Sequence, residues 1–183
     1  MKNIYVLNQI CNFRFGTSTS VSSVGDVACV QGRDFNEDGI YINKELQYIK
    51  ESSLKYAHFL KAGDILFSTK GRLFATVWQG QVPNIIATGT FIILTVKDNS
   101  VLPEYLALYL NSKKAKKYFD PHIKAGTVAH IGKKDVERLE VEIPSIEMQN
   151  NLVKAHNLLL EEKMLLNEIV RKKEKMLNNL MPQ

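Results

Sequence analysis

Cysteine is scarce in this chain: Cys11 and Cys29 are the only two among 183 residues. That is too few for a disulfide framework, and two lone thiols in such a chain are expected to be free. The four histidines, His58, His122, His130 and His156, are scattered. No Cys or His pair has metal-ligand spacing, so no metal is expected. Long apolar runs are missing too. The longest, near Ile85 to Val96, is broken by Thr88, Gly89, Thr90 and Thr95, and is too short and too polar to span a bilayer. The stretch Met1 to Gln9 lacks both a sustained apolar core and a small-residue cleavage site, so no secretory leader is read there. A cytoplasmic location is expected.

Catalytic signatures are equally sparse. Gly-x-Gly-x-x-Gly and the phosphate-cradling Gly-x-x-x-x-Gly-Lys-Ser/Thr loop are both absent, as is a Gly-x-Ser-x-Gly elbow. Asp120-Pro121-His122 has only the first part of the amino-methyltransferase Asp-Pro-Pro-Tyr motif. Glu140 and Glu142 alternate on one strand, as the wet side of a strand does. No cofactor and no catalytic constellation is expected.

What is present is an ordinary globular composition, 45% hydrophobic and 23% charged. A chain of this length suits one domain plus an appendage. The formal net charge of +5 is concentrated. Lys113, Lys114, Lys116, Lys117, Lys124, Lys133, Lys134 and Arg138 stand against Asp120, Asp135 and Glu137, so this segment alone nets +5. Such a patch points to a polyanion partner, and equally fits a solvated lysine-rich face.

Along the chain, Val21 to Val30, Ile40 to Asn43, Ile65 to Ser68, Leu73 to Trp78 and Phe91 to Val96 read as strands between turn signals. Gly32-Arg33-Asp34 and Lys61-Ala-Gly-Asp64 read as turns. Asn43 to Lys55 fits no single pattern. Pro103 suits a first helical turn, and Glu104 to Tyr118 reads as one helix with a basic end, stopped by Asp120-Pro121. Lys133 to Arg138 reads as one helical turn, and Leu139 to Ile143 alternates as a half-buried strand does. Strands precede helices without regular alternation, which predicts an α+β fold: a twisted β-sheet domain with short helices, followed by one long C-terminal coiled-coil helix.

That helix starts after Pro144, with Ser145 as N-cap and Glu147 in the first turn. Ile146 to Met181 contains no Pro or Gly. About 36 residues at 1.5 Å each make a rod of roughly 54 Å. Leu152, Leu159, Leu166 and Leu180 recur at sevens, with Ile169, Val170, Met176 and Leu177 beside them and Lys173 interrupting. This is heptad-like spacing. The stripe either lies back on its own domain or takes an intermolecular partner. A rod this long overhangs a body of this size, which favours a partner.

Two loops mix cations, hydroxyls and glycine. Thr69, Lys70 and Arg72 belong to one; Lys124, Thr127, His130, Lys133 and Lys134 belong to the other. Arg and Lys pair with guanine edges, and hydroxyls or His reach bases or phosphates. Each loop taken alone also reads as an ordinary surface turn.

Leu60-Lys-Ala-Gly-Asp-Ile-Leu-Phe-Ser68, Pro103-Glu-Tyr-Leu106, Gly126-Thr127 with Ile131, Asp135 and Leu139, and Val141-Glu-Ile-Pro-Ser-Ile-Glu-Met-Gln149 follow one another into the long helix. In this order the chain, from about residue 20 to its end, resembles the target-recognition half of the DNA specificity subunit of type I restriction–modification systems. The resemblance implies an α+β recognition domain over 1–144 that reads one half of a split DNA target. It implies a dimerisation and spacer helix over 145–183 that acts as a ruler and docks modification subunits. Members of that family usually carry two such halves with antiparallel helices. Here there is one, as in a half-size subunit that dimerises or pairs with a second half, or in a fragment.

The expected function is therefore a non-catalytic, sequence-specific reader of double-stranded DNA. Methyl transfer and cleavage would belong to separate modification and restriction subunits. Two rivals remain at this point: a coiled-coil protein-interaction adaptor without DNA specificity, and a truncated methyltransferase.

Overall fold

A computed structural model describes residues 3–18, 20–42, 45–50, 59–122 and 131–180. Among these, the framework is a four-stranded antiparallel sheet in the order β2-β8-β5-β6, formed by Cys11–Phe15, Phe91–Val96, Ile65–Ser68 and Phe74–Val77. Strands β5 and β8 carry the apolar runs Ile65 to Phe67 and Phe91 to Leu94, because both of their faces are covered there. Ile65, Phe67, Ile92 and Leu94 face one core with Leu106, Leu110, Phe119, Val136 and Val141. Leu66, Phe91 and Ile93 face the other, with Phe35, Trp78 and Ile85. Successive residues thus feed opposite cores, as the period of two requires.

A second sheet, β4-β3-β7, pairs Gln47–Ile49, Val27–Val30 and Ile85–Ala87, with β3 and β7 parallel. A two-stranded sheet joins β1 (Asn3–Val6) to β9 (Glu140–Ile143), pairing Asn3 with Ile143 and Val6 with Glu140. It brings the start of the chain against the strand that launches the long helix. Burial of Val141 and Ile143 with exposure of Glu140 bears out the alternation read in the sequence. A helical turn, α1 (Leu7–Ile10), connects β1 to β2. The sequence reading did not anticipate β1, α1 or β2.

The single helix expected over Glu104 to Tyr118 is two: α2 (Pro103–Leu110) and α3 (Lys113–Phe119). Two neighbouring polar side chains make the break. Asn111 pairs with the Ala75 backbone in both directions, at 2.8 and 2.7 Å, and so ties the chain to β6. Ser112 then caps α3, accepting the Ala115 N–H at 3.2 Å. The strand expected over Ile40 to Asn43 is only an isolated bridge between Phe35 and Tyr41 among the described residues. Val21 to Val30 narrows to β3: Ser22 pairs with Tyr48 as an isolated bridge, and the chain bends at Ser23, Val24 and Asp26 before the continuous ladder starts at Val27.

After α4 (Lys133–Glu137) and β9 comes α5, Ile146–Leu180, a helix of 35 residues and roughly 52 Å. Ser145 accepts the Met148 N–H at 3.3 Å, the N-cap expected from its position. The first half of α5 leans on the domain: Gln149 is buried, Val153, His156 and Leu160 are half-buried, and Lys163 pairs with Asp38. From Glu161 to Leu180 every residue is exposed. The apolar stripe stays open, from Leu152, 40% exposed, to Leu180, 79% exposed. Leu159, Leu166, Ile169, Val170, Met176 and Leu177 lie exposed between them.

Candidate nucleic-acid interface

The two polar loops singled out in the sequence meet in space. The Ile131 N–H donates to the Thr69 carbonyl at 3.0 Å, binding the segment before α4 to the β5–β6 connection. Lys70 and Lys133 consequently line one groove of about 380 Å³ with Phe15, Ser18, Thr69 and Gly132. Gly16 lets the opposite wall close. A Cβ there would stand 2.0 Å from the Thr88 carbonyl oxygen, so no other residue fits without displacing backbone. Phe15 is exposed, and the Lys133 ammonium sits 5.9 Å from its ring. Lys133 also pairs with Glu137 at 3.2 Å, one turn along α4.

A second groove, about 530 Å³, lies on the other side of Lys70 and is lined by Gln31, Arg33, Phe35, Ser68, Arg72 and Phe74, among others. Arg72 is held on two sides. Its Nη2 donates to the Phe35 carbonyl at 3.0 Å, and its guanidinium lies 4.7 Å over the Phe74 ring. Gly71, with φ of +75°, supplies the left-handed turn residue between Lys70 and Arg72. No carboxylate lines either groove among the described residues. The nearest acid in sequence, Asp34, is turned inward and buried, where it accepts the Gln31 N–H at 2.7 Å. Burial raises its carboxyl above the ordinary carboxylate range, against the Gln31 hydrogen bond and Arg33, which pull it down.

The sequence-predicted residues divide accordingly. Lys70, Arg72, Lys133 and Lys134 are surface cations, the first three on these grooves. Thr69 is 4% exposed and its hydroxyl donates to the Thr90 carbonyl at 3.3 Å, so it holds the loop rather than facing a partner. Lys124, Thr127 and His130 lie outside the described residues. Gln31, Arg33 and Phe15 escaped the sequence reading. Arg33 reads in the sequence as part of the turn Gly32-Arg33-Asp34, and Phe15 belongs to strand β2, which no local pattern marks. Within the basic segment, Lys113, Lys116 and Lys117 are exposed on α3, whereas Lys114 pairs with Glu142.

Another cavity, about 250 Å³, separates the first half of α5 from α2 and β6, with Tyr41, Glu104 and His156 in its lining. No cluster of metal-ligating side chains occurs among the described residues. Among them, no helix is long and apolar enough to cross a membrane.

No curated protein matches the chain. Solved structures do. The HsdS subunit from Thermoanaerobacter tengcongensis superposes with a TM-score of 0.64 at 18% identity, covering 92% of this chain and 39% of that one. A type I restriction–modification S subunit from M. genitalium gives 0.61 at 12% identity, covering 96% and 43%. A chain from a study of complex assembly and conformational transition of the type I R-M system gives 0.63 at 18% identity, covering 98% and 43%. These likenesses show a common fold, and the chain spans about two-fifths of the length of each. Residues 5–171 match the profile of the type I restriction modification DNA specificity domain, and the chain belongs to that family.

Proposed function

We propose that this chain is a single target-recognition half of a type I specificity subunit, a non-catalytic reader of double-stranded DNA. Residues 1–144 form the reading domain, and residues 145–183 pair with a second copy or a second specificity half. The observation that carries the reading is the junction at Lys70. Two grooves with no carboxylate in their lining among the described residues meet there, supplied by Arg33, Lys70, Arg72 and Lys133 from separate parts of the chain. A polyanion with regularly spaced phosphates suits that surface. Lys134 and the exposed lysines of α3 extend the positive field around it. Lys124, Thr127 and His130 are assigned to the same reading surface from their sequence position alone.

The exposed stripe of α5 supports pairing between chains. Two-fold pairing calls for inverted half-sites. At about 3.4 Å per base pair, a rod of roughly 52 Å limits their separation to about 15 base pairs. The modification (methyltransferase) and restriction subunits would supply methyl transfer and cleavage, docking on the assembled pair. An electrophoretic shift of random duplex DNA at low salt tests the reading, with the retarded fraction recovered and sequenced. Retardation with enrichment of inverted half-sites is expected. No retardation at any protein concentration would instead favour the adaptor reading, in which the helix alone carries the function.

A further inference from the structure

Strand β6 is the last in its sheet, so one of its edges has no strand beside it among the described residues. Alternation decides which backbone groups that edge carries. Thr76 stands opposite Leu66, and the Trp78 N–H donates to the Asp64 carbonyl at 2.7 Å, so these two residues turn toward β5. Ala75 and Val77 therefore turn their N–H and C=O groups outward. At Ala75 the pair is taken. The Asn111 carboxamide accepts the Ala75 N–H at 2.8 Å and donates to the Ala75 carbonyl at 2.7 Å, as a neighbouring strand would. At Val77, roughly 7 Å along the strand, the same donor and acceptor meet no partner among the described residues.

This edge borders the cavity of about 250 Å³ beneath α5. Ala75, Thr76, Val77 and Asn111 all line it, so the cavity runs from the occupied amide position to the empty one. Backbone polar groups away from bulk water are nearly always paired, and Val77 is half-buried. The other walls give a ligand its body contacts, from the rings of Phe35 and Tyr41 and from Val153 and Leu160 of α5. Among the described residues no lysine or arginine lines the cavity, whereas Glu104 does, which disfavours a carboxylate ligand. A strand added to β6 would run into Asn111 one residue on, so the edge has room for a single amide and not for a peptide backbone.

We propose that this cavity binds a primary carboxamide carried on a small apolar or aromatic body, held by Val77 as the Asn111 amide is held by Ala75. A carboxamide presents its oxygen and its N–H side by side, the complement of one outward-facing strand residue. Two sources share this chemistry: a free aromatic carboxamide, and an Asn or Gln side chain of a bound protein. Either one touches β6 and α5 together and braces the root of the long helix.

The test uses the 15N-labelled full-length chain with benzamide, propionamide and benzoate as probes. Benzamide should shift the Val77 amide resonance. Benzoate lacks a donor for the Val77 carbonyl and should bind at least about tenfold more weakly. Propionamide has the size of a glutamine side chain. Binding as tight as that of benzamide assigns the site to a protein side chain, and weaker binding assigns it to a free aromatic carboxamide; the amide site stands in both cases. Val77→Pro deletes the outward N–H, a change that an edge position tolerates, and should weaken benzamide at least about tenfold in calorimetry. Leu160→Trp, which fills the cavity from α5 and leaves the β6 backbone intact, takes its place if the proline variant does not fold. The proposal is overturned by benzoate binding as tightly as benzamide, by no shift at Val77 with either amide, or by full benzamide affinity in the variant that folds.

Discussion

Gln149 and Leu102 are joined by a hydrogen bond of 2.9 Å, from the Leu102 N–H to Gln149 Oε1. The same amide donates through Nε2 to the carbonyls of Ser100 and Pro144, at 2.8 and 2.9 Å. One fully buried side chain in the first turn of α5 thus satisfies the approach to α2 and the end of β9 together. This explains why a glutamine follows the Ile-Pro turn at that spacing. Replacing Gln149 with leucine keeps the volume but strands three backbone groups. We expect a loss of about 2–4 kcal/mol in chemical denaturation, at roughly 1 kcal/mol or more per group. A loss below about 0.5 kcal/mol would mean that water takes over the amide's role.

Asp64 is the polar centre of the Lys-Ala-Gly-Asp-Ile-Leu stretch. It is 2% exposed, pairs with Arg14, and accepts the Lys61 N–H at 2.8 Å and the Thr95 hydroxyl at 2.7 Å. Breaking a buried pair from one side leaves the other charge uncompensated. Asp64→Ala should cost about 3–5 kcal/mol of folding stability, measured by urea unfolding. The Arg14→Ala, Asp64→Ala double variant should be less destabilised than the sum of the two single changes, whereas simple additivity would show that the two do not act as a pair.

Both thiols should make the fold sensitive to alkali. Burial pushes Cys11 up to about 12, with Lys97 opposing, and Cys29 up to about 11, with Asp34 adding to the effect and Arg33 opposing, both from 9.0. Above pH 9.0 the unfolded chain releases protons that the folded chain keeps, so stability falls as pH rises through that window. Thermal melting from pH 8 to pH 11 should show this decline. Cys11→Ala with Cys29→Ala should flatten it, and an unchanged slope would assign the decline to other groups.

DNA affinity should fall with salt at a log–log slope of about −4 to −5 if the five net charges meet phosphates. Lys70→Ala or Lys133→Ala should each bring the slope about 0.9 closer to zero. A salt-independent affinity would place the contact surface elsewhere.

Legibility in the sequence followed the range of the interactions. The long helix was readable because Ile146 to Leu180 contains neither Pro nor Gly and has a serine cap before it. Strands β5 and β8 were readable because Ile65 to Phe67 and Phe91 to Leu94 are apolar runs buried on both faces. Strand β1, helix α1 and strand β2 were not. A single turn, Leu7–Ile10, separates the two short strands, and no Gly or Pro marks either junction. The break between α2 and α3 depends on Asn111 finding Ala75, a contact no local pattern records. For the site, Lys70, Arg72 and Lys133 were visible as loop cations. That Thr69 turns inward, and that Phe15, Gln31 and Arg33 share the grooves, depends on tertiary packing.

The leucine face of α5 waiting for a second helix is the premise behind paired half-sites. Sedimentation equilibrium of the purified chain across a wide concentration range measures this directly, with Leu159→Lys/Leu166→Lys as the comparison. The account predicts a species of twice the 20.8 kDa chain mass, lost in the double variant. A wild-type chain that sediments at 20.8 kDa at every concentration, alone and with duplex DNA, would contradict it.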